Sequence, residues 1–227
     1  MPYYAIEFDS TGNGIGLHVY QEEPPAYPAN ELSCTEAQAQ TPMLWSNVNG
    51  VLTESLSATQ AAQKTLVTQG YNKATDYVPV TINGTTYQVD NTAGKQALNL
   101  SLAITANAMM QAPAWAASTE YTAGAYCNVG GVILFCSTPG KSGSSAPTAP
   151  TTFGTPVADG TAAWELLGRK VYLQGGSFVY MTPQQIMSAF QQGELYLHQM
   201  SDKLELLKSE IMAATTVTEV QTFELLR

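Results

Sequence analysis

Residues 113–168 read PAWAASTEYTAGAYCNVGGVILFCSTPGKSGSSAPTAPTTFGTPVADGTAAWELLG, and this stretch decides the fold. Trp115 and Trp164 frame it, and Tyr121, Tyr126 and Phe135 lie between them. Gly, Pro, Ser and Thr break it into pieces of the length that short strands and tight turns require. The sequence on either side is mainly helical in pattern. The reading is therefore an α+β chain in which a small all-β module, 113–168, interrupts a helical domain made of residues 57–112 and 169–227. A β-rich attachment region, 1–56, precedes both. A module this small has few other large side chains, so its five rings are assigned to its own core before any ligand. Only those left exposed are free to stack on a partner.

Working outward, VPVTINGTTYQV at 78–89 places Asn83-Gly84 between two alternating β-branched segments, the pattern of a two-residue hairpin. Lys95 to Gln111 follows as an apolar helix. Upstream, Ser57-x-x-Gln60 has capping-box spacing and predicts a short helix ending near Gly70. Nearer the N-terminus, YYAIEF and LHVY flank a Gly-rich turn and predict a hairpin, QEEPPAYPAN an extended linker, Thr35 to Gln38 a helix start, and Asn49-Gly50 a tight turn. Downstream, Lys170 to Met181 reads as a hairpin with Gly175-Gly176 at its turn. Thr182-Pro183-Gln184-Gln185 then opens a long helix with cap, Pro at the first position and Gln three after the cap.

That helix carries a heptad seam of Ile186, Phe190, Leu197, Met200, Leu204, Leu207 and Ile211, interrupted by Gly193. The seam either packs on the Lys95 to Gln111 helix within the chain or forms a coiled coil between subunits. Thr216-x-x-Glu219 predicts a last short helix leading into Phe223 to Arg227.

Charged residues make up 12% of the chain, against about a quarter in ordinary domains, so the surface is built from neutral hydrogen-bonding groups. The net charge is −9, and residues 1–63 hold Glu7, Asp9, Glu22, Glu23, Glu31, Glu36 and Glu54 with no Lys or Arg. Nucleic acid is excluded as a partner because phosphate affinity needs a basic stripe. No apolar run is long enough to span a membrane, and no charged-then-apolar leader opens the chain, which predicts synthesis in a cytoplasm without membrane insertion.

Candidate chemistry is sparse. His18 and His198 have no companions at ligand spacing, so neither a metal nor a cofactor is expected. Cys127 and Cys136 fall diagonal to each other across a Gly130-Gly131 hairpin, poor geometry for a disulfide, and with Cys34 they are read as reduced thiols. Gly140-Lys141-Ser142 lacks the leading glycine of a phosphate loop, and Gly12 to Gly16 lacks dinucleotide spacing. The module's acids, Glu120, Asp159 and Glu165, are numerous enough for a glycosidase pair, but nothing in their spacing supports one. No catalytic residue is assigned.

The order Ala114-Trp115, Tyr121-x-x-Gly124, Gly130-Gly131, Phe135-Cys136, Pro147, Asp159-Gly160-Thr161 and Trp164 resembles small modules of phage tail and virion proteins, themselves similar to the chitin-binding modules of bacterial chitinases. Where the latter carry exposed sugar-contacting tryptophans, this chain has Ser137-Thr138-Pro139-Gly140. The flanks, from Val80 to Asp90 and from Val179 into the long helix, resemble a domain of unknown function from phage tail fibre proteins. In that family the two halves are adjacent in sequence; here the module separates them. The N-terminal YAIEFDSTGNG and NGVLTES look like leaders of fibre proteins. The resemblance implies a non-enzymatic virion protein of a tailed bacteriophage, in the tail fibre or baseplate, assembled in the host bacterial cytoplasm. Implied partners are itself as a homotrimer, other tail proteins, and a host cell-surface glycan at the module. The alternatives are a head or neck decoration protein and a glycan-degrading depolymerase.

Overall fold

The computed structural model describes residues 2–223; the expected chain end at Glu224 to Arg227 lies outside them. In order, the strands and helices are β1 (Tyr3–Phe8), β2 (Gly14–Tyr20), β3 (Glu31–Cys34), α1 (Glu36–Ala39), β4 (Trp45–Val48), β5 (Val51–Glu54) and α2 (Leu56–Thr75). Then come β6 (Tyr77–Ile82), β7 (Thr85–Asp90) and α3 (Ala93–Met110). The module contributes β8 (Glu120–Tyr121), β9 (Tyr126–Val129), β10 (Val132–Thr138), β11 (Gly140–Lys141), β12 (Val157–Asp159) and β13 (Ala162–Leu166). The chain continues with β14 (Arg169–Tyr172), β15 (Phe178–Met181), α4 (Pro183–Ala213) and α5 (Val217–Gln221). Helices mix with small antiparallel sheets throughout, and the class is α+β. Two compact units are formed, residues 1–72 with 201–227 and residues 73–200. This partition differs from the one read in the sequence, where residue 56 was the first boundary.

In the first unit, β1 sits between β2 and β3. The turn after β1 is held by Asp9, whose Oδ1 accepts from the Thr11 hydroxyl at 2.7 Å and from the Thr11 and Asn13 amides. These bonds, led by the Thr11 hydroxyl, pull the Asp9 carboxyl down to about 2. The proline-rich linker ends in β3, an added strand pairing with β1, where no strand was expected. Its Glu31 is buried, contacts His18 Nδ1 at 2.6 Å and accepts from the Tyr20 hydroxyl at 2.6 Å. That bond is the main reason the Tyr20 phenol is pushed up to about 12.

Thr35 and Gln38 form the expected capping box, and Asn49-Gly50, with φ of 55° and 81°, makes the β4–β5 turn. Helix α2 starts one turn-position earlier than the Ser57 reading, because the Ser55 hydroxyl accepts from the Ala58 amide. It also runs through Gly70 to Thr75. The isolated glycine costs helix about 1 kcal/mol, which burial of Val67 against Leu204, Ile211 and Val220 outweighs. Gln60 Nε2 donates to the carbonyls of Met212 and Ala214, satisfying acceptors that the end of α4 leaves open.

In the second unit, Asn83-Gly84 makes the β6–β7 turn with φ of 51° and 79°, as its sequence demands. One face of that hairpin (Val78, Val80, Ile82) packs with Ala106, Val171, Met181, Ile186 and Ala189 into one core. The Gln192 side chain doubles the strand edge, accepting from the Thr81 amide and donating to its carbonyl. Of the heptad seam, Ile186 lies in this core and Leu204 and Ile211 in that of the first unit. Phe190, Leu197, Met200 and Leu207 are half-buried. Within the chain Ile186 shares a core with Ala106 of α3, whereas Leu204 and Ile211 meet Val67 of α2 rather than the expected Lys95 to Gln111 helix. Gly193, the gap in the seam, is where Val78 comes close; a Cβ there would lie 3.4 Å from Val78 Cγ1.

Candidate functional site

The module's main sheet has the order β12-β13-β10-β9, with Gly130-Gly131 in left-handed backbone at the β9–β10 turn. Period-two alternation splits its residues between two covered faces. On one, Cys127, Leu134, Cys136, Trp164 and Leu166 pack with half-buried Trp115 and Tyr121. On the other, Ile133 meets Met109 of α3 and Leu167, with Tyr126 and Phe135 packed against them. The five rings singled out in the sequence are thus distributed over both faces rather than gathered into one contact surface.

Asp159 organises the first face. Its Oδ2 accepts from Trp115 Nε1 and Trp164 Nε1, both at 2.8 Å, and its Oδ1 from the Gly143 amide at 2.7 Å. Trp164 is fully buried and meets the Tyr121 ring edge to face at 4.7 Å. The Tyr121 hydroxyl is in turn committed, accepting from the Ala116 amide. A carboxylate holding three donors while 5% exposed ties the module's ends to its loop.

The remaining acids are apart from it. Glu165 stands opposite Phe135 in the main sheet, and Glu120 opposite Lys141 in the separate β8–β11 ladder. Cys127 and Cys136 are free and buried, and burial pushes the Cys127 thiol up to about 12, so it is no nucleophile at neutral pH. Among the described residues no group of three or more His, Cys, Asp or Glu side chains is arranged to hold a metal, and no helix is long and apolar enough to cross a membrane. The open groove beside the β1–β2 turn, lined by Phe8, Asp9, Thr11, Asn30 and Asn47, offers one carboxylate that already has three donors.

Two of the most exposed rings lie elsewhere, on the β14–β15 hairpin. Its register pairs Lys170 with Tyr180 and Tyr172 with Phe178. The pleat sends these four side chains to one face, while Val171 and Met181 go to the core on the other. Phe178 and Tyr180 are 47% and 43% exposed, and their rings stand perpendicular, 5.7 Å apart. Lys170 Nζ lies 4.5 Å from the Phe178 centroid and 5.9 Å from that of Tyr180. Phe153, from the module's long loop, adds a third ring 5.6 Å from Tyr180. It is seated over Gly168, where a Cβ would lie 2.4 Å from the ring. Lys95 of α3 covers Tyr172 at 3.9 Å.

No protein-family model, curated protein or solved structure matches this chain. The aromatic hairpin face was not singled out in the sequence, although its signal was present: Lys170, Tyr172, Phe178 and Tyr180 alternate with Val171, Val179 and Met181, so one face of the predicted hairpin had to be aromatic and outward.

Proposed function

We propose that this chain is a non-enzymatic structural protein of a bacteriophage tail, in the fibre or baseplate, that contributes to assembly and to attachment at the host surface. One observation carries the contact role: the module's aromatics and Asp159 are turned inward, whereas Phe178, Tyr180 and Lys170 face solvent on the neighbouring hairpin. The attachment surface is accordingly moved from the module's own rings to this hairpin face. The non-enzymatic reading is supported by the engagement of Asp159 with three donors.

Assembly into a homotrimer remains part of the proposal, but on different grounds. Beside the α4 seam, a partner copy has an open face in the α3 stripe of Leu100 and Ile104, which are 51% and 63% exposed. Sedimentation velocity should give a trimer that Ile104→Glu dissociates; a monomer at micromolar concentration overturns it. Antibody labelling of intact particles tests the location. Label on the tail is the expected result, and label on the head or neck would favour a decoration protein. Depolymerase activity would be seen as clearing of host polysaccharide, and none is expected.

A further inference from the structure

We infer that the outward face of β14–β15 binds an acidic polysaccharide built of uronic acids. This rests on the host-attachment reading and names its ligand class. Two perpendicular rings, Phe178 and Tyr180, form a corner with the Lys170 ammonium set against both. A pyranose ring has an apolar face of axial C–H groups, which stacks on either aromatic plane, and a carboxylate at its rim, which the ammonium at the corner receives. Phe153, half-buried against the module core, buttresses Tyr180 from the side at 5.6 Å.

Charge complementarity selects an anionic ligand over a neutral one. In a chain of net charge −9, the run 166–193 contains Arg169 and Lys170 and no Asp or Glu, and the run 91–119 contains Lys95 and no Asp or Glu. On the outward face itself the cations are Lys170, resting on the Phe178 and Tyr180 rings, and Lys95, resting on Tyr172. A lysine already neutralised by an acid would have little to offer a ligand; one resting on a ring keeps its full charge and its solvent-facing donors. Nucleic acid, the other polyanion, needs a longer basic track than these residues supply.

Isothermal titration of the full chain with a mannuronate hexasaccharide, with dextran oligosaccharide as the neutral probe, tests the inference. Binding of the uronate and not of dextran is expected. Phe178→Ala and Tyr180→Ala should each weaken it by roughly tenfold or more, as loss of a stacking ring does. Lys170→Gln should weaken it by a similar factor and flatten its salt dependence. These side chains are exposed, and an unchanged thermal midpoint in each variant shows that the fold is kept. Absence of uronate binding, equal binding of dextran, or insensitivity to all three substitutions overturns the inference. So does loss of self-association in place of ligand binding, which would make the face a contact between copies. Labelling of particles, which does not depend on the ligand, decides the tail assignment separately.

Discussion

Asp159 shows what a single carboxylate contributes to a small β module. Two indole donors and one amide converge on it, so replacing one oxygen by an NH₂ group sets donor against donor. Asp159→Asn should therefore destabilise the protein by about 2–4 kcal/mol, the cost of breaking charge-assisted bonds in a buried place. Denaturant unfolding followed by tryptophan fluorescence measures this, and a cost below 1 kcal/mol would contradict the role given to it. Asp9 works at the surface by the same chemistry. Its carboxyl is held at about 2, below the value near 4 of an unfolded chain. The stability it contributes is thus complete above pH 4 or so and is lost as pH falls toward about 2. The Thr11 and Asn13 amide shifts should titrate with that low midpoint; a midpoint near 4 would mean the turn does not hold the charge. Both residues are oriented by backbone that a linear reading cannot place, and for this reason Asp159 was legible only as a candidate acid.

Among the elements, Gly193 is the clearest place where sequence and packing can be separated. It interrupts a helix of good formers, and the nearest atom to an added methyl is Cγ1 of the buried Val78 at 3.4 Å, the edge of ordinary contact. Gly193→Ala should raise stability by up to about 1 kcal/mol through helix propensity, and thermal unfolding would show it. A loss instead would mean that β6 cannot yield the few tenths of an ångström required.

Local signals of this kind made most elements legible. The Asn49-Gly50, Asn83-Gly84 and Gly130-Gly131 turns all adopt positive φ where the dipeptides demand it, and the boxes at Thr35, Thr182 and Thr216 all close. What failed was non-local. β3 exists because β1 offers it an edge, α2 outlasts Gly70 because Leu204 and Ile211 cover it, and the seam of α4 could not declare its partner from spacing alone. The aromatic face of β14–β15 was legible by period two, but its importance required knowing that the module's own rings are buried.

At the scale of the molecule, the two units differ in how the chain supplies them. Residues 73–200 form one continuous unit, whereas the other joins residues 1–72 to 201–227. Truncation after Met200 should then leave the module's strands protected in hydrogen exchange while protection across residues 56–71 collapses, since Val67 loses Leu204, Ile211 and Val220. Retained protection there would show that the first unit closes without its late segment.

The bonds from Gln60 to the carbonyls of Met212 and Ala214 span 152 and 154 residues. A ribosome adding roughly 5–20 residues per second needs on the order of ten seconds to deliver the second half of that contact after the first. Throughout that interval the nascent chain holds a bare apolar helix face of Leu56, Val67 and Tyr71 while residues 73–200 are emerging behind it. The split core thus turns translation speed into a determinant of yield. Slower synthesis prolongs the time in which this face recruits chaperones or neighbouring nascent chains, and it is released from that hazard only when α5 arrives.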